Sequence, residues 1–347
     1  MINVGIAGIG FMGMIHYLSY QKLRGAKVVA LCEKDPVRLA GDWRTIQGNF
    51  GPRGEQMNLK GVAQYDELDK LLADPKVDMV DICLPPAWHA DVAVKALSAG
   101  KHVFCEKPIA LTTADAQRML RAAAKARRLL MIGHVLPFFP EYQFAYKSIS
   151  HGRYGKLLGG HFKRIISDPS WLADFWKADR VGGPMLDLHV HDAHFIRLVC
   201  GMPRTVTAIG RMRGSLVEFF SSQLQFDNPR LAVRATSGAI NQQGRSFSHG
   251  FEIHLEKATM FFDFSVIDGK GEMSMPLTVV ESGGKVLRPQ LGSGDPVDAF
   301  AAELKEVVAA VRQGRESPIL AGRLAADAVA ICQKEARSVA TGKTERL

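Results

Sequence analysis

No stretch of this sequence approaches the ~18 consecutive apolar residues that a membrane-spanning helix needs. The first ten residues, MINVGIAGIG, carry neither the basic segment nor the small-residue cleavage site of a signal peptide, so export is not expected and a cytoplasmic location is. Cysteine is scarce: Cys32, Cys83, Cys105, Cys200 and Cys332 are odd in number, widely spaced and never arranged as C-x-x-C. That excludes a disulfide framework and a zinc ribbon, and suits a reducing compartment. There is no basic arm or run. The 44 Lys+Arg and 35 Asp+Glu of the 347 residues leave +9, and this charge divides almost evenly, 18 against 13 over residues 1–130 and 26 against 22 over residues 131–347. A field so evenly spread attracts small anions and does not make a nucleic-acid footprint. No internal repeat or low-complexity linker interrupts the chain. With 47% hydrophobic residues it has too much apolar surface to stay disordered. Its length implies two domains or one large one.

The first 130 residues alternate between two hydrophobic periods. Short apolar runs at Ile2–Ala7, Val28–Cys32, Val77–Leu84, His102–Cys105 and Leu129–Ile132 read as buried strands. Helical segments lie between them. Phe11, Ile15 and Leu18 fall on one face of an amphipathic helix, Asp91–Ala99 ends at Gly100, and Ala114–Arg128 starts after the capping pair Thr112-Thr113. This pattern predicts an α/β fold, a doubly wound parallel Rossmann sheet covered on both faces. Beyond residue 130 the segments 157–166, 206–212, 219–226, 231–237, 251–255 and 258–264 read as strands, with helices at 185–199, 296–311 and 323–340. A C-terminal α+β domain over residues 131–347, with a large, open and mostly antiparallel sheet, is the expectation.

Gly8-Ile9-Gly10-Phe11-Met12-Gly13 reads G-x-G-x-x-G, following a strand and opening a helix. In that context Gly8 makes the tight turn, Gly10 lets a pyrophosphate approach the backbone, Phe11 and Met12 begin the helix, and Gly13 lets helix meet strand. The free N–H groups of the helix N-terminus attract the diphosphate. Glu33, 20 residues beyond Gly13 at the end of the second strand, is placed to accept hydrogen bonds from an adenosine ribose diol, which favours NAD. Lys34 and Arg38 keep NADP open, since either could pair with a 2′-phosphate; for Arg38 a solvated helix start is the plainer reading.

Cys105-Glu106-Lys107-Pro108 ends a strand at the carboxyl edge of the sheet, where open α/β sheets hold ligands, and a lysine there can bind a substrate hydroxyl or move its proton. Asp187 and His191 are four apart on a helix, so both leave the same face; an imidazole can act as base there with a carboxylate orienting it. Spacing by itself also allows a surface ion pair.

Together with Leu84-Pro85-Pro86-Ala87-Trp88-His89, Ala99-Gly100-Lys101-His102-Val103-Phe104-Cys105-Glu106-Lys107-Pro108 and Gly182-Gly183-Pro184-Met185-Leu186-Asp187-Leu188-His189-Val190-His191-Asp192, these motifs make the chain resemble the Gfo/Idh/MocA family of sugar and cyclitol dehydrogenases over essentially its whole length. The resemblance implies that Lys107, Asp187 and His191 form a catalytic triad. It also implies that Glu106 and the Leu84–Pro86 turn line the cofactor and that His89 stands close to it. Read without the family, His89 is a helix-start residue satisfied by backbone. Two departures stand out. Where many members read Asp-x-Gly-x-His-Asp-x-Asp, this chain has His189 for the glycine and His194 for the last aspartate, and Pro137 stands where relatives often carry an arginine. The crowding of Asp187, His189, His191, Asp192 and His194 raises a metal site, but at ~100° per residue His189 points roughly 200° away from Asp187, so none is expected. Arg164, Trp171, Trp176, Arg180 and His194 are candidate substrate residues, because aromatic faces and guanidinium forks suit sugar C–H faces and hydroxyls; core packing explains either tryptophan as well.

The sequence thus predicts an NAD(P)-dependent dehydrogenase acting on a secondary alcohol of a sugar, cyclitol or sugar derivative, with no nucleic-acid or membrane partner, assembled as a homo-oligomer, dimer or tetramer. Two rivals stay open. One is a redox-neutral lyase or hydrolase that keeps its NAD and uses His189 or His194 as an extra base; the other is a dinucleotide-sensing regulator.

Overall fold

The computed structural model describes residues 1–48, 50–170, 172–292 and 294–347. The chain forms two compact units, Met1–Phe139 with Ser293–Ala326, and Pro140–Gly292 with Asp327–Leu347.

In the first unit the strands β1 (Ile2–Ala7), β2 (Ala26–Cys32), β3 (Ala63–Tyr65), β4 (Met79–Ile82), β5 (His102–Glu106) and β6 (Leu130–Gly133) pair in parallel in the order β3-β2-β1-β4-β5-β6. This is the doubly wound dinucleotide-binding order, with its switch point beside β1. The helices are α1 (Phe11–Lys22), α2 (Pro36–Leu39), α3 (Leu68–Ala73), α4 (Pro86–Ser98) and α5 (Thr113–Ala126). Their ends follow local chemistry. Asp35 caps α2 through Val37 N, Thr112 caps α5 through Asp115 N, and α5 stops at Arg127 in the left-handed region at φ 52°. Helix α4 starts five residues earlier than its apolar pattern suggested, because Pro86 supplies a preset helical φ at the first position.

Two expectations change here. Helix α1 is not amphipathic: Met14, His16, Tyr17 and Tyr20 are buried along with Ile15, since the helix Val297–Gln313 covers the side that would otherwise face water, with Phe300, Leu304 and Val307 in the same core. For the same reason the first unit is not a continuous N-terminal segment. It extends to Phe139 and takes in 293–326, rather than stopping at 130.

The second unit holds a nine-stranded sheet that is antiparallel except where the strands Leu157–Ser167 and Ala232–Ile240 run parallel. The strand Lys270–Glu281 was not legible in the sequence. Its first seven residues are exposed, which removes the apolar alternation, and Pro276 sits where the register against Ala258–Ile267 shifts, a bulge that tolerates a missing N–H. The expected helix at 185–199 is a π-helical turn, Met185–His189, running into an α-helix, Val190–Cys200.

Candidate active site

The glycine turn joins β1 to α1. Gly8 has φ +95°, and a Cβ there would lie 2.7 Å from the Cys83 carbonyl oxygen, while a Cβ on Gly13 would overlap the Gly8 carbonyl. A Cβ on Gly10 would meet no protein atom within 4 Å. Protein packing therefore requires the outer two glycines, whereas at Gly10 the space is left for something else. No side chain caps α1 and no acid occupies its first turn, so its N–H groups face that space with a partial positive charge. Phe11 lies edge-on to Phe50 at 4.8 Å and Met12 packs on the core, so both offer a ligand backbone rather than side chain.

Glu33 leaves the end of β2 and folds onto the turn. Its Oε2 accepts from Ile9 N at 2.7 Å and its Oε1 from Lys34 N and Asp35 N at 2.8 and 3.0 Å. Arg38 is not simply solvated: Nη1 reaches the Ile9 carbonyl at 3.5 Å and Nε lies 3.6 Å from Asp35. Lys34 is exposed.

At the carboxyl ends of β4 and β5 a buried imidazole ties two turns together. His89 Nε2 lies 2.7 Å from the Leu84 carbonyl and Nδ1 2.7 Å from the Pro108 carbonyl. A neutral imidazole has one N–H and donates to one of these carbonyls, and the buried ring, set between both, holds the Leu84-Pro85 turn beside the Lys107-Pro108 turn. Lys107 is half-buried, and its N–H donates to Glu106 Oε2 at 3.1 Å.

Beneath these turns lies a cluster that the sequence reading missed. His16 Nδ1 is 3.0 Å from Asp81 Oδ2, His16 Nε2 is 3.2 Å from Glu106 Oε1, and Cys83 Sγ is 3.3 Å from His16 Nδ1. Burial opposes charge on His16, but the Asp81 carboxylate overrides it and holds the imidazole well above its ordinary pKa. Glu303 is fully buried, and burial followed by the neighbouring Glu106 pushes its pKa well up. The one signal in the sequence was Asp81 itself, an acid inside an otherwise apolar strand, which demands a buried partner.

In the second unit the expected pair separates from its neighbours by burial. From Pro184 to Ile196 every residue is buried except Asp187 and His191, which are half-exposed. Both reach the surface from successive turns of one segment. Three other candidates are corrected or set aside. Arg164 is 4% exposed and its guanidinium is taken by Asp192, Nε to Oδ2 at 2.7 Å and Nη2 to Oδ1 at 3.1 Å, so it is a core ion pair and not a hydroxyl ligand. His194 is fully buried, although it shares a helix face with His191, so it is not open to a substrate. Trp171 lies outside the described residues. Trp176 is half-buried, donates to Asp168 at 2.9 Å and lies under the Arg213 guanidinium at 4.0 Å, an arrangement that presents Arg213 as a polar group the sequence did not single out. Arg180 is exposed, with Asp179 3.9 Å away.

Residues 2–134 match the family model described as an oxidoreductase family with an NAD-binding Rossmann fold, and residues 142–261 match the GFO/IDH/MocA C-terminal domain. An inositol 2-dehydrogenase of Salmonella paratyphi B is 33% identical over 74% of this chain and 70% of its own length. A 2,7-anhydro-N-acetylneuraminate hydratase of Escherichia coli is 32% identical over 70% of this chain, which spans 63% of that relative. Among solved structures, an oxidoreductase from Agrobacterium radiobacter in complex with NAD+, L-tartaric acid and magnesium superposes with a TM-score of 0.81 at 19% identity, covering 99% of this chain and 98% of that one, a likeness of fold. The glycine turn, the E-K-P turn, the sheet order and these matches lead to one conclusion: the chain belongs to the Gfo/Idh/MocA oxidoreductase family, and its first domain is an NAD-binding Rossmann domain.

Proposed function

We propose that the protein is an NAD-dependent dehydrogenase that moves a hydride between a nicotinamide and a secondary alcohol of a sugar, cyclitol or sugar derivative, and that it works as a homo-oligomer. The observation that carries this reading is the selective exposure of Asp187 and His191, a base with its orienting carboxylate, on an otherwise buried segment. The cofactor fits this chain's residues: the open space at Gly10, the uncapped α1 and the Glu33 carboxylate would hold the diphosphate and ribose. When bound, NAD supplies the hydride acceptor. His191 takes the hydroxyl proton as the C–H bond breaks, Asp187 orients the imidazole, and the Lys107 ammonium donates to the reacting oxygen. The alcohol loses one proton and one hydride and becomes a ketone.

The protein should bind NAD about tenfold or more tightly than NADP. A 2′-phosphate would meet the Glu33 carboxylate, which is already anchored by three backbone N–H groups and cannot swing away without abandoning them. A tenfold preference corresponds to about 1.4 kcal/mol. Titration with both dinucleotides checks this, and tighter binding of NADP would transfer the role to Lys34 and Arg38.

The second reading, a redox-neutral reaction on tightly held NAD, draws its support from the hydratase among the relatives. Against it, His189 and His194, the residues proposed as its extra base, are fully buried. A dehydrogenase must release reduced cofactor in every turnover. The purified protein should therefore hold far less than one NAD per chain, and absorbance at 340 nm should rise with NAD and a suitable polyol. Stoichiometric NAD released on denaturation, with product formed and no NADH accumulating, would favour the redox-neutral reading.

A further inference from the structure

The π-turn Met185–His189 is closed by Val190 N–H reaching back five residues to the Met185 carbonyl. Such turns are intrinsically unfavourable and persist where surrounding structure imposes them. Here the imposition has an identifiable source. His189, midway between Asp187 and His191, sends its side chain inward, and its Nε2 lies 2.7 Å from Glu335 Oε2, with both side chains at most 1% exposed. Glu335 comes from the C-terminal helix Gly322–Thr341. Its other oxygen, Oε1, accepts from Ser222 Oγ at 2.7 Å, and Phe220, two residues before Ser222 on the same strand, meets the imidazole edge-to-face at 4.8 Å. One residue past His191, Asp192 is held by Arg164. The segment carrying the two exposed groups is thus pinned at 189 and again at 192 by buried ion pairs.

We infer that the His189–Glu335 pair is a positioning device, which fixes the π-turn on the sheet and the C-terminal helix and so sets the directions of Asp187 and His191; this rests on the dehydrogenase reading given above. A buried ion pair adds little stability over an apolar pair of the same volume, because desolvation consumes most of the Coulomb gain. What it does supply is an anchor: with Glu335 at 2.7 Å, Phe220 edge-on to the ring and Ser222 donating to the other carboxylate oxygen, the imidazole is held between strand and helix. The groups facing His189 are consistent with a charged pair. Burial opposes its charge, Glu335 and then Asp192 favour it, Arg164 opposes it, and the net effect raises the imidazole pKa. Cys332, one turn before Glu335, has its thiol pKa pushed well up by burial and is neutral. His189, Cys332 and Glu335 have the donor types of a metal site and lie within 4.8 Å of one another. The 2.7 Å approach of Nε2 to Oε2 is that of a direct ion pair.

Glu335→Gln is the informative variant, since it keeps the acceptor for Ser222 and removes the charge. It should fold, bind NAD with unchanged affinity and lose about 10- to 100-fold in kcat with little change in KM, the loss expected when a supporting group lets a catalytic one drift. In side-chain ¹⁵N NMR spectra His189 should lose its proton at a higher pH in the unmodified protein than in the variant, and the His191 ring signals should move between the two. A stability change with kcat and the His191 signals untouched would overturn the inference and leave a purely structural pair. Stoichiometric zinc in the purified protein would overturn it as well. Failure of the unmodified protein to oxidise any polyol is a different outcome: it would sink the dehydrogenase reading, while the NMR comparison would still decide whether Glu335 governs His191. If Glu335→Gln were too unstable to purify, His189→Gln, which keeps a donor toward Glu335, gives the same kcat comparison and the His191 part of the NMR comparison.

Discussion

Lys107→Ala and His191→Ala should each lower kcat by ~10²–10⁴, the usual cost of removing a group that moves or stabilises a proton in the transition state, while the dissociation constant for NAD stays within a few-fold of its original value. The split follows from where the residues sit. Lys107 is half-buried beyond the end of β5, and the turn that carries it is fixed by the His89 contacts to two carbonyls and by the Glu106 carboxylate accepting from its own N–H, none of which involves the ammonium. His191 is only partly buried on a segment whose neighbours are buried, so truncating it removes less packing than truncating any of them. An effect on kcat and kcat/KM together marks an interaction made chiefly in the transition state. Steady-state kinetics on the best polyol found, paired with NAD titration, provides the check. Turnover that survives both substitutions would mean that the chemistry lies elsewhere.

The glycine turn should respond in two opposite ways to the same added methyl group. Gly13→Ala places a Cβ on the Gly8 carbonyl, a backbone atom that cannot rotate aside, and should cost about 2–3 kcal/mol of stability as an overpacked core position does. Gly10→Ala meets nothing in the protein, at a backbone φ of −92° that alanine adopts freely, so its denaturation midpoint should be unchanged. Its NAD affinity should nevertheless fall by ~10- to 100-fold, because the methyl occupies the space where the diphosphate must approach α1. Chemical denaturation and NAD titration on both variants test the pair of claims. Equal NAD affinity for Gly10→Ala and the original protein would remove the turn from the cofactor site.

Much of the first unit was legible because its signals are local. A strand, a glycine turn and a helix opening lie within about 15 residues, and the acid at the end of the next strand follows at a fixed distance, so order and spacing single out Gly8, Gly10, Gly13 and Glu33 as candidates. The E-K-P turn is local in the same way. What failed were inferences about faces. The exposed side of α1 was misread because the helix that buries it lies some 280 residues away in the chain, and the boundary near 130 was drawn as if each unit were one continuous segment. The strand Lys270–Glu281 went unseen since half of it faces solvent and carries no apolar alternation.

The crowded run from Asp187 to His194 divides the two kinds of knowledge most sharply. The sequence by itself determined the family, the cofactor class, the residue types available for proton transfer, and that Asp187 and His191 leave one side of a helix, because each depends on neighbours a few residues apart. It did not show which of the five ionisable side chains in eight positions find buried partners. Only the tertiary structure did that, bringing Glu335 and Phe220 to His189 and Arg164 to Asp192 from strands and a helix distant in the chain. Placing a charge in a protein interior is costly unless a partner meets it there, so the availability of distant partners decides which of these side chains can turn inward.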